Sequence, residues 1–451
     1  MKPFKRQLLS ILQEWRNSDF RKPLVLRGAR QVGKSTIIRD LGQTFDNYIE
    51  LNLEKAADVK LFEGTDDVKI IMDSILLSRK IASKSLHKTL LFIDEIQESP
   101  KAIQLLRYFY EEIPALHLIA AGSLLEFALK EVPSFPVGRV EYRYLHPFNF
   151  QEYLGAINHQ AALNQLNTIP VKEFAHDILK ELFHRYVIMG GMPEAIQKYV
   201  KDETLTGLPT IYESIWKTYQ DDVEKYAESS SERKVIKHIM GIAHTQLDKR
   251  ITFQNFGGST YKSREVSEAL RKLNDARIIQ LIYPTTDVEF PVIPDIKKSP
   301  RLHFLDTGLV THSLGIQSEL LGLSDYSDAF KGAIIPHIIT QELLSINSIT
   351  DKKPNFWVRQ KKQSSAEVDL VYTHKGLIIP IEIKSGLAGK LKSLHQFINQ
   401  CSHNYAIRIY GGNYSVENHT TPEGKPYILM NLPYYLGTKI PEYIAELVSN
   451  N

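Results

Sequence analysis

Short apolar runs alternate with longer amphipathic stretches between residue 24 and about residue 122. Residues 24–26, 48–53, 90–93 and 116–121 have the length and apolar content of strands, and helical periodicity fills the intervals. Such alternation predicts a parallel sheet covered by helices, with functional loops at the carboxyl ends of its strands. From residue 148 to residue 226 helical patterns dominate and few strand signals survive. The run Ser229-Ser230-Ser231, flanked by Glu228, Glu232 and Arg233, then reads as a solvated joint. Beyond it Val266, Leu270 and Leu273 share one face of a helix whose opposite face is charged, and strand patterns follow at 277–283 and 301–305. A loop through Pro284, Pro291, Pro294 and Pro300 separates those two strands. Towards the C-terminus the pattern predicts a helix over 334–346, strands over 356–359, 366–372 and 377–385, a helix over 391–399 and a strand over 406–410.

At 451 residues the chain is too long for one hydrophobic core. The changes of pattern divide it into four segments. These are an α/β core over 1–147, a helical lid over 148–228, a winged-helix-like domain over 229–325 and a C-terminal α/β domain over 326–451. The last has the order α-β-β-β-α-β, which suits a restriction-endonuclease-like fold. No stretch offers the uncharged apolar run needed to span a bilayer, so no membrane partner is expected. Near the amino terminus Glu14, Trp15, Arg16 and Asn17 stand where an export signal would be apolar, and a cytoplasmic protein is expected. Cys401 is the single cysteine, which excludes an internal disulfide and a cysteine-based zinc site. A net charge of +3 neither demands nor excludes a nucleic-acid partner.

The chemistry starts where the first apolar run ends. Gly28-Ala29-Arg30-Gln31-Val32-Gly33-Lys34-Ser35, followed by Thr36, has the spacing of a phosphate-binding loop that opens a helix. Glycines at both ends let backbone N–H groups curl around phosphate oxygens, Lys34 places a cation between the outer phosphates, and Ser35 is a magnesium ligand. The helix dipole reinforces the same anion site. A Gly-rich turn without a ligand is the alternative, but the later strand 90–93 ends in Asp94-Glu95, the acidic pair that such a loop requires. Asp94 is the second magnesium ligand and Glu95 the group that orients and polarises an attacking water. ATP and Mg2+ are therefore the expected ligands. Ser123, closing Ala120-Ala121-Gly122-Ser123, is a candidate sensor of the terminal phosphate, with a plain turn as the alternative. Arg139 is a candidate finger for the transferring phosphoryl group, reaching it within the chain or in a neighbouring subunit, with a surface salt bridge as the alternative.

A second constellation lies near the C-terminus. Ala366-Glu367-Val368-Asp369-Leu370-Val371-Tyr372 alternates like a strand, and Leu377 to Ser385 reads as its neighbour, so Asp369 and Glu382 can converge. Glu382 and Lys384 project from one face of their strand. Two carboxylates and a lysine suit metal-dependent phosphodiester cleavage, with Asp369 and Glu382 as metal ligands and Lys384 beside the attacking water. A salt-bridged strand is the alternative. In the winged-helix-like segment Lys262, Arg264, Arg271 and Lys272 are candidate phosphate contacts for DNA, although Glu265, Glu268 and Asp275 are interleaved with them and a packing module is the alternative.

Taken together, these motifs resemble a bacterial and archaeal family of AAA-type P-loop ATPases with a C-terminal domain of unknown function of restriction-endonuclease-like, or PD-(D/E)xK, character. The resemblance is carried by the phosphate loop, Asp94-Glu95, Gly122-Ser123, Gly138-Arg139, Gly190-Gly191-Met192-Pro193, Phe304-Leu305-Asp306-Thr307-Gly308-Leu309, Glu367-Val368-Asp369 and Ile381-Glu382-Ile383-Lys384-Ser385. It implies ATP and magnesium binding, ATP hydrolysis and a DNA-linked or regulatory role. One position departs from the pattern: where members carry a glutamate after the glycine that opens the C-terminal domain, this chain has Pro336, and Glu342 is the candidate replacement. Three readings remain open: a Mg2+-dependent ATPase coupled to the later domains, an ATP-regulated DNA nuclease, and a nucleotide-controlled binding module with little turnover. Self-association is compatible with all three.

Overall fold

Five parallel strands build the N-terminal sheet: β1 (Leu24–Arg27), β2 (Asn47–Asn52), β3 (Thr89–Asp94), β4 (His117–Gly122) and β5 (Glu141–Tyr144). Their order is β2-β3-β4-β1-β5, so the chain leaves β1 towards β2 on one side and leaves the adjacent β4 towards β5 on the other. That is the switch point at which open α/β sheets hold ligands beyond the strands' carboxyl ends. Every residue of β3 and β4 is buried, as continuous apolar runs require in a sheet covered on both faces. Helices α1 (Leu8–Asn17), α2 (Lys34–Gly42), α3 (Ala56–Glu63), α4 (Val68–Arg79) and α5 (Pro100–Glu112) accompany the sheet. Local chemistry starts α5: Ser99 accepts from the Ala102 N–H, and Pro100 occupies the first turn, where its missing donor costs nothing. Ile71, Met72, Ile75, Ile103, Leu106 and Phe109 fill the core beneath the sheet.

This is a computed structural model, and it describes residues 4–123, 125, 138–225, 227–321, 332–360, 366–384 and 391–449. The chain forms two compact units, the first comprising Met1–His146 with the short segments Asp275–Arg277 and Asn347–Asp351. The second comprises Pro147–Asn274, Ile278–Ile346 and Lys352–Asn451. Residues 134–137, within the segment 1–147 that the sequence assigns to the α/β core, and Ser385 of the C-terminal motif lie outside the described residues.

The second unit begins with the helices α6 (Phe150–Ala156), α7 (Gln160–Leu166), α8 (His176–Met189), α9 (Pro193–Asp202) and α10 (Leu208–Lys225). Phe150, Tyr153, Phe183 and Tyr186 form its aromatic core, the Phe150 and Phe183 rings meeting edge to face at 5.1 Å. After α11 (Ser230–Ile242) and α12 (Ser263–Asp275) come β6 (Ile279–Ile282), β7 (Pro284–Thr285) and β8 (Arg301–Phe304), with β6 and β8 antiparallel. The proline-rich excursion between them is not only a loop, because β7 pairs in parallel with β9 (Asn355–Val358). Helices α13 (Thr307–Ser313), α14 (Gln317–Leu321) and α15 (Ile334–Ser345) precede β9. Pro336 is the third residue of α15, within the first turn that tolerates proline.

A seven-stranded sheet completes the unit. It contains β7, β9, β10 (Glu367–His374), β11 (Leu377–Ile383), β12 (Tyr405–Tyr410), β13 (Ser415–Thr420) and β14 (Pro426–Pro433). Helix α16 (Lys392–Ile398) packs beside β10 to β12, and α17 (Ile440–Ser449) ends the chain's described part. The sequence pattern anticipates α15, β9, β10, β11, α16 and β12, but not β5, β13 or β14. Among the described residues no helix is long and apolar enough to cross a membrane.

Candidate functional site

The loop between β1 and α2 owes its path to its glycines. Gly28 has φ +157°, and a Cβ there would lie 2.4 Å from the Leu145 carbonyl oxygen, so no side chain fits. Gly33, at φ 98°, takes the left-handed turn from which α2 starts. Lys34 is buried, and its Nζ donates to the carbonyl oxygens of Gly28 at 3.0 Å and Ala29 at 2.9 Å. Burial lowers its pKa to about 8, with Arg30 and Arg277 acting in the same direction and Glu95 and Asp94 against it. Ser35 donates from Oγ to Asp94 Oδ2 at 2.7 Å. Burial raises the Asp94 pKa above the ordinary carboxylate value, opposed first by that Ser35 bond.

Glu95 has the left-handed backbone, φ 50°, and its N–H donates to Asp94 Oδ1 at 3.1 Å. Its Oε2 accepts from Gln97 Nε2 at 2.6 Å. Gln97 in turn lies against the end of β4: a Cβ on Gly122 would come within 2.4 Å of Gln97 Oε1. Ser123 follows Gly122 and is buried. Lys34, Ser35, Asp94, Glu95 and Ser123 therefore stand at the carboxyl ends of β1, β3 and β4, as their sequence positions imply. Two groups had no local sequence signal. One is Gln97, and the other is Arg6, whose guanidinium donates to the carbonyl oxygens of Val32 at 3.0 Å and His146 at 2.6 Å.

Arg139 is at the other edge of the sheet. Glu141 pairs with Leu24 at the amino end of β1, and Arg139 precedes it, bonded to Glu111 at 2.9 Å. A four-residue strand spans roughly 13 Å, which separates Arg139 from the phosphate loop within one chain. Within the chain Arg139 takes part in a surface ion pair with Glu111.

The donor set fits a nucleoside triphosphate with magnesium. A buried ammonium rests on the loop's own carbonyl groups, which a phosphate oxygen can outcompete, and a hydroxyl and a carboxylate meet where a hard cation takes oxygen ligands. Residues 20–154 match the AAA domain family. The N-terminal unit thus has a P-loop ATPase α/β fold. Residues 180–320 match a domain of unknown function (DUF8612), and residues 331–432 match another (DUF4143). No curated protein matches the chain. Among solved structures the chain is similar to the Walker-type ATPase PABY2304 of Pyrococcus abyssi, at 15% identity, with 69% of this chain and 96% of that chain covered and a TM-score of 0.44.

In the C-terminal sheet Asp369, Glu382 and Lys384 come together. Asp369 Oδ2 accepts from the Ile383 N–H at 2.8 Å, and Lys384 Nζ is 2.5 Å from Glu382 Oε1. Arg301, from β8, brings a second cation. Its guanidinium binds Glu367, lies 3.3 Å from both Asp369 Oδ1 and Asp248 Oδ1, and covers the Phe356 ring at 4.7 Å. Both oxygens of Asp369 are thus engaged, although Glu382 Oε2 is buried with no hydrogen-bond partner. Burial pushes both carboxyls upward in pKa.

Glu342 does not replace the carboxylate absent at Pro336. It is fully buried elsewhere, accepting from the Phe150 N–H at 3.1 Å and bonded to the Tyr186 hydroxyl at 2.8 Å. Among the described residues no three His, Cys, Asp or Glu side chains form a metal-holding group. Arg301 and Lys384 already stand beside these two carboxylates, and no cleavage step follows from that arrangement. Two of the four basic candidates near α12 are in ion pairs: Arg264 pairs with Glu268 at 2.7 Å, and Lys272 with Glu232 at 2.8 Å and Glu228 at 3.1 Å.

Proposed function

We propose that this chain is a Mg2+-dependent ATPase. The observation that carries the reading is the pairing of Ser35 with Asp94 beside a Lys34 ammonium that rests on the loop carbonyls. Lys34 turns from Gly28 and Ala29 to the phosphate chain, while the loop's N–H groups and the start of α2 surround it. Arg6 holds the loop's far side through Val32, so the N–H groups are preorganised. Ser35 and Asp94 would hold magnesium, which when bound would supply positive charge to offset the outer phosphates. Glu95 accepts a hydrogen bond from a water and aligns it for attack, and Gln97 fixes the orientation of its carboxylate. Ser123, at the end of the neighbouring strand, is the candidate contact for the terminal phosphate.

Lys34→Ala is expected to abolish nucleotide binding, measured by calorimetry with ATP and magnesium. Glu95→Gln is expected to keep the affinity and to lower turnover by about 10²- to 10⁴-fold. Unchanged hydrolysis in both variants discards the assignment.

The second reading, ATP-regulated DNA cleavage, is favoured by the meeting of Asp369, Glu382 and Lys384 and opposed by the Arg301 guanidinium among the same carboxylates. Incubating DNA with the protein and Mg2+ or Mn2+, beside Glu382→Ala, tests it; only cutting that the variant loses supports it. An ATPase assay with and without DNA tests the linked proposal that DNA is the partner, and stimulation is its expected sign.

A further inference from the structure

With Arg139 at the far edge of the sheet, another arginine stands at the phosphate loop. Arg277 follows α12 at the position where the Ile278 N–H reaches back to the Leu273 carbonyl at 3.1 Å. Helices that end in this way place a left-handed residue there, usually glycine or asparagine. Arg277 takes that conformation at φ 62° despite its Cβ, so the position accepts backbone strain in exchange for this side chain. The guanidinium is buried at 7% exposure, lies 4.8 Å from the centre of the Tyr144 ring and donates to Asp351 Oδ1 at 2.8 Å.

Those contacts fix it beside the loop. Tyr144 is paired with Arg27, the residue before Gly28, and the Leu145 N–H donates to the Arg27 carbonyl at 2.8 Å. The Leu145 carbonyl is the group against which Gly28 packs. Asp351 is held in the same unit by its own segment, in which the Ser348 carbonyl accepts from the Tyr144 N–H at 2.8 Å. Lys34 and Arg277, each 7% exposed, are two buried cations of this unit. Mutual repulsion among buried cations is relieved by an anion.

We infer that Arg277 is a second cation for the phosphate chain of a bound nucleoside di- or triphosphate, held by Asp351 until the phosphate replaces that carboxylate. The inference rests on the reading of residues 28–35 as a nucleotide site. A guanidinium suits the task because its planar donors match phosphate oxygens, and Asp351, whose side chain is 49% exposed, returns to water when displaced.

The test compares Arg277→Gln, Arg277→Lys and Asp351→Asn in the full chain, by titration with ATP and with ADP in the presence of magnesium. Arg277→Gln is expected to weaken both nucleotides at least about tenfold, Arg277→Lys less, and Asp351→Asn to tighten both several-fold, roughly in line with the worth of a charged hydrogen bond. Opposite signs identify competition for the guanidinium. If Asp351→Asn weakens binding, or if folded Arg277→Gln binds like the parent, the inference falls. Should Arg277→Gln fail to fold, the signs of the lysine and asparagine variants decide. A parent protein that binds neither nucleotide instead refutes the underlying reading of the loop.

Discussion

Gln97 shows how a residue outside every recognisable motif can govern one inside it. Its amide holds Glu95 Oε2 at 2.6 Å, and the same side chain abuts Gly122. Removing it leaves phosphate and metal contacts intact while freeing the carboxylate to swing. Gln97→Ala is expected to leave the ATP affinity within about twofold and to lower kcat by about 10- to 100-fold, measured by steady-state hydrolysis beside calorimetry. Equal losses in affinity and kcat would assign Gln97 to binding instead. Glu342 offers a test of a different kind. Burial pushes its pKa up to about 8, with Glu152 adding to the rise and the Tyr186 and Phe150 bonds opposing it. An acid with a raised folded-state pKa binds more protons folded than unfolded, so its contribution is fully present below the unfolded value and is lost as pH rises through the folded one. Asp306, pushed up by burial to about 6, acts in the same direction at lower pH. Between about pH 6.5 and pH 8.5 the parent is therefore expected to lose stability that Glu342→Gln does not lose, read as the difference in urea midpoints. Parallel curves would show that Glu342 is already ionised when folded.

At the scale of elements, legibility followed burial. Strands β1, β3 and β4 are apolar runs because both of their faces are covered, β2 at the sheet edge alternates with only Ile49 and Leu51 buried, and the pattern finds all four within a residue or two. Strand β5, Glu141-Tyr142-Arg143-Tyr144, alternates charge and aromatic at a sheet edge with three of its four residues only partly buried, so no apolar run marks it. The glycine and aspartate motifs at 190–193 and 304–309 had no role assignable from spacing, and the structure joins them in one knot. Asp306 caps α13 through the N–H groups of Gly308 and Leu309 and accepts from the Gly191 N–H at 2.5 Å. Gln341 approaches the same carboxylate at 3.3 Å, and a Cβ on Gly308 would lie 2.2 Å from the Met189 carbonyl oxygen. Asp306→Ala removes a helix cap and leaves the Gly191 donor buried without an acceptor, a loss of about 2–4 kcal/mol. Asp306→Asn keeps one acceptor oxygen and is expected to lose less. Chemical denaturation measures both, and an alanine variant within about 0.5 kcal/mol of the parent would show that water replaces the carboxylate.

At the scale of the whole molecule, the chemistry of one site was legible and the balance of the other was not. The phosphate loop and Asp94-Glu95 depend on local spacing, which sequence preserves. The C-terminal cluster depends on Arg301, separated in sequence by 66 residues from Glu367 and 68 from Asp369, and no pattern announces such a meeting. Its consequence is electrostatic. Asp248, Glu367 and Asp369 share the buried guanidinium, Arg250 lies 3.6 Å from Glu367 and Glu382 has Lys384, so protein cations already occupy the places beside these carboxylates. Full-length protein equilibrated with Mn2+ is therefore expected to hold about one tightly bound ion per chain when ATP is present and none when it is absent, counted by elemental analysis after dialysis. Asp94→Asn should remove that ion and Asp369→Asn should not. A second ion lost specifically in Asp369→Asn would mean that the carboxylates release Arg301 to take a metal. Arg301→Met asks the converse question. It strands several acids away from water and is expected to cost roughly 3–5 kcal/mol, as breaking a buried ion pair does. If Mn2+ then restores the thermal stability of Arg301→Met but does nothing for the parent, the guanidinium occupies the place of a cation that this arrangement of carboxylates could otherwise hold.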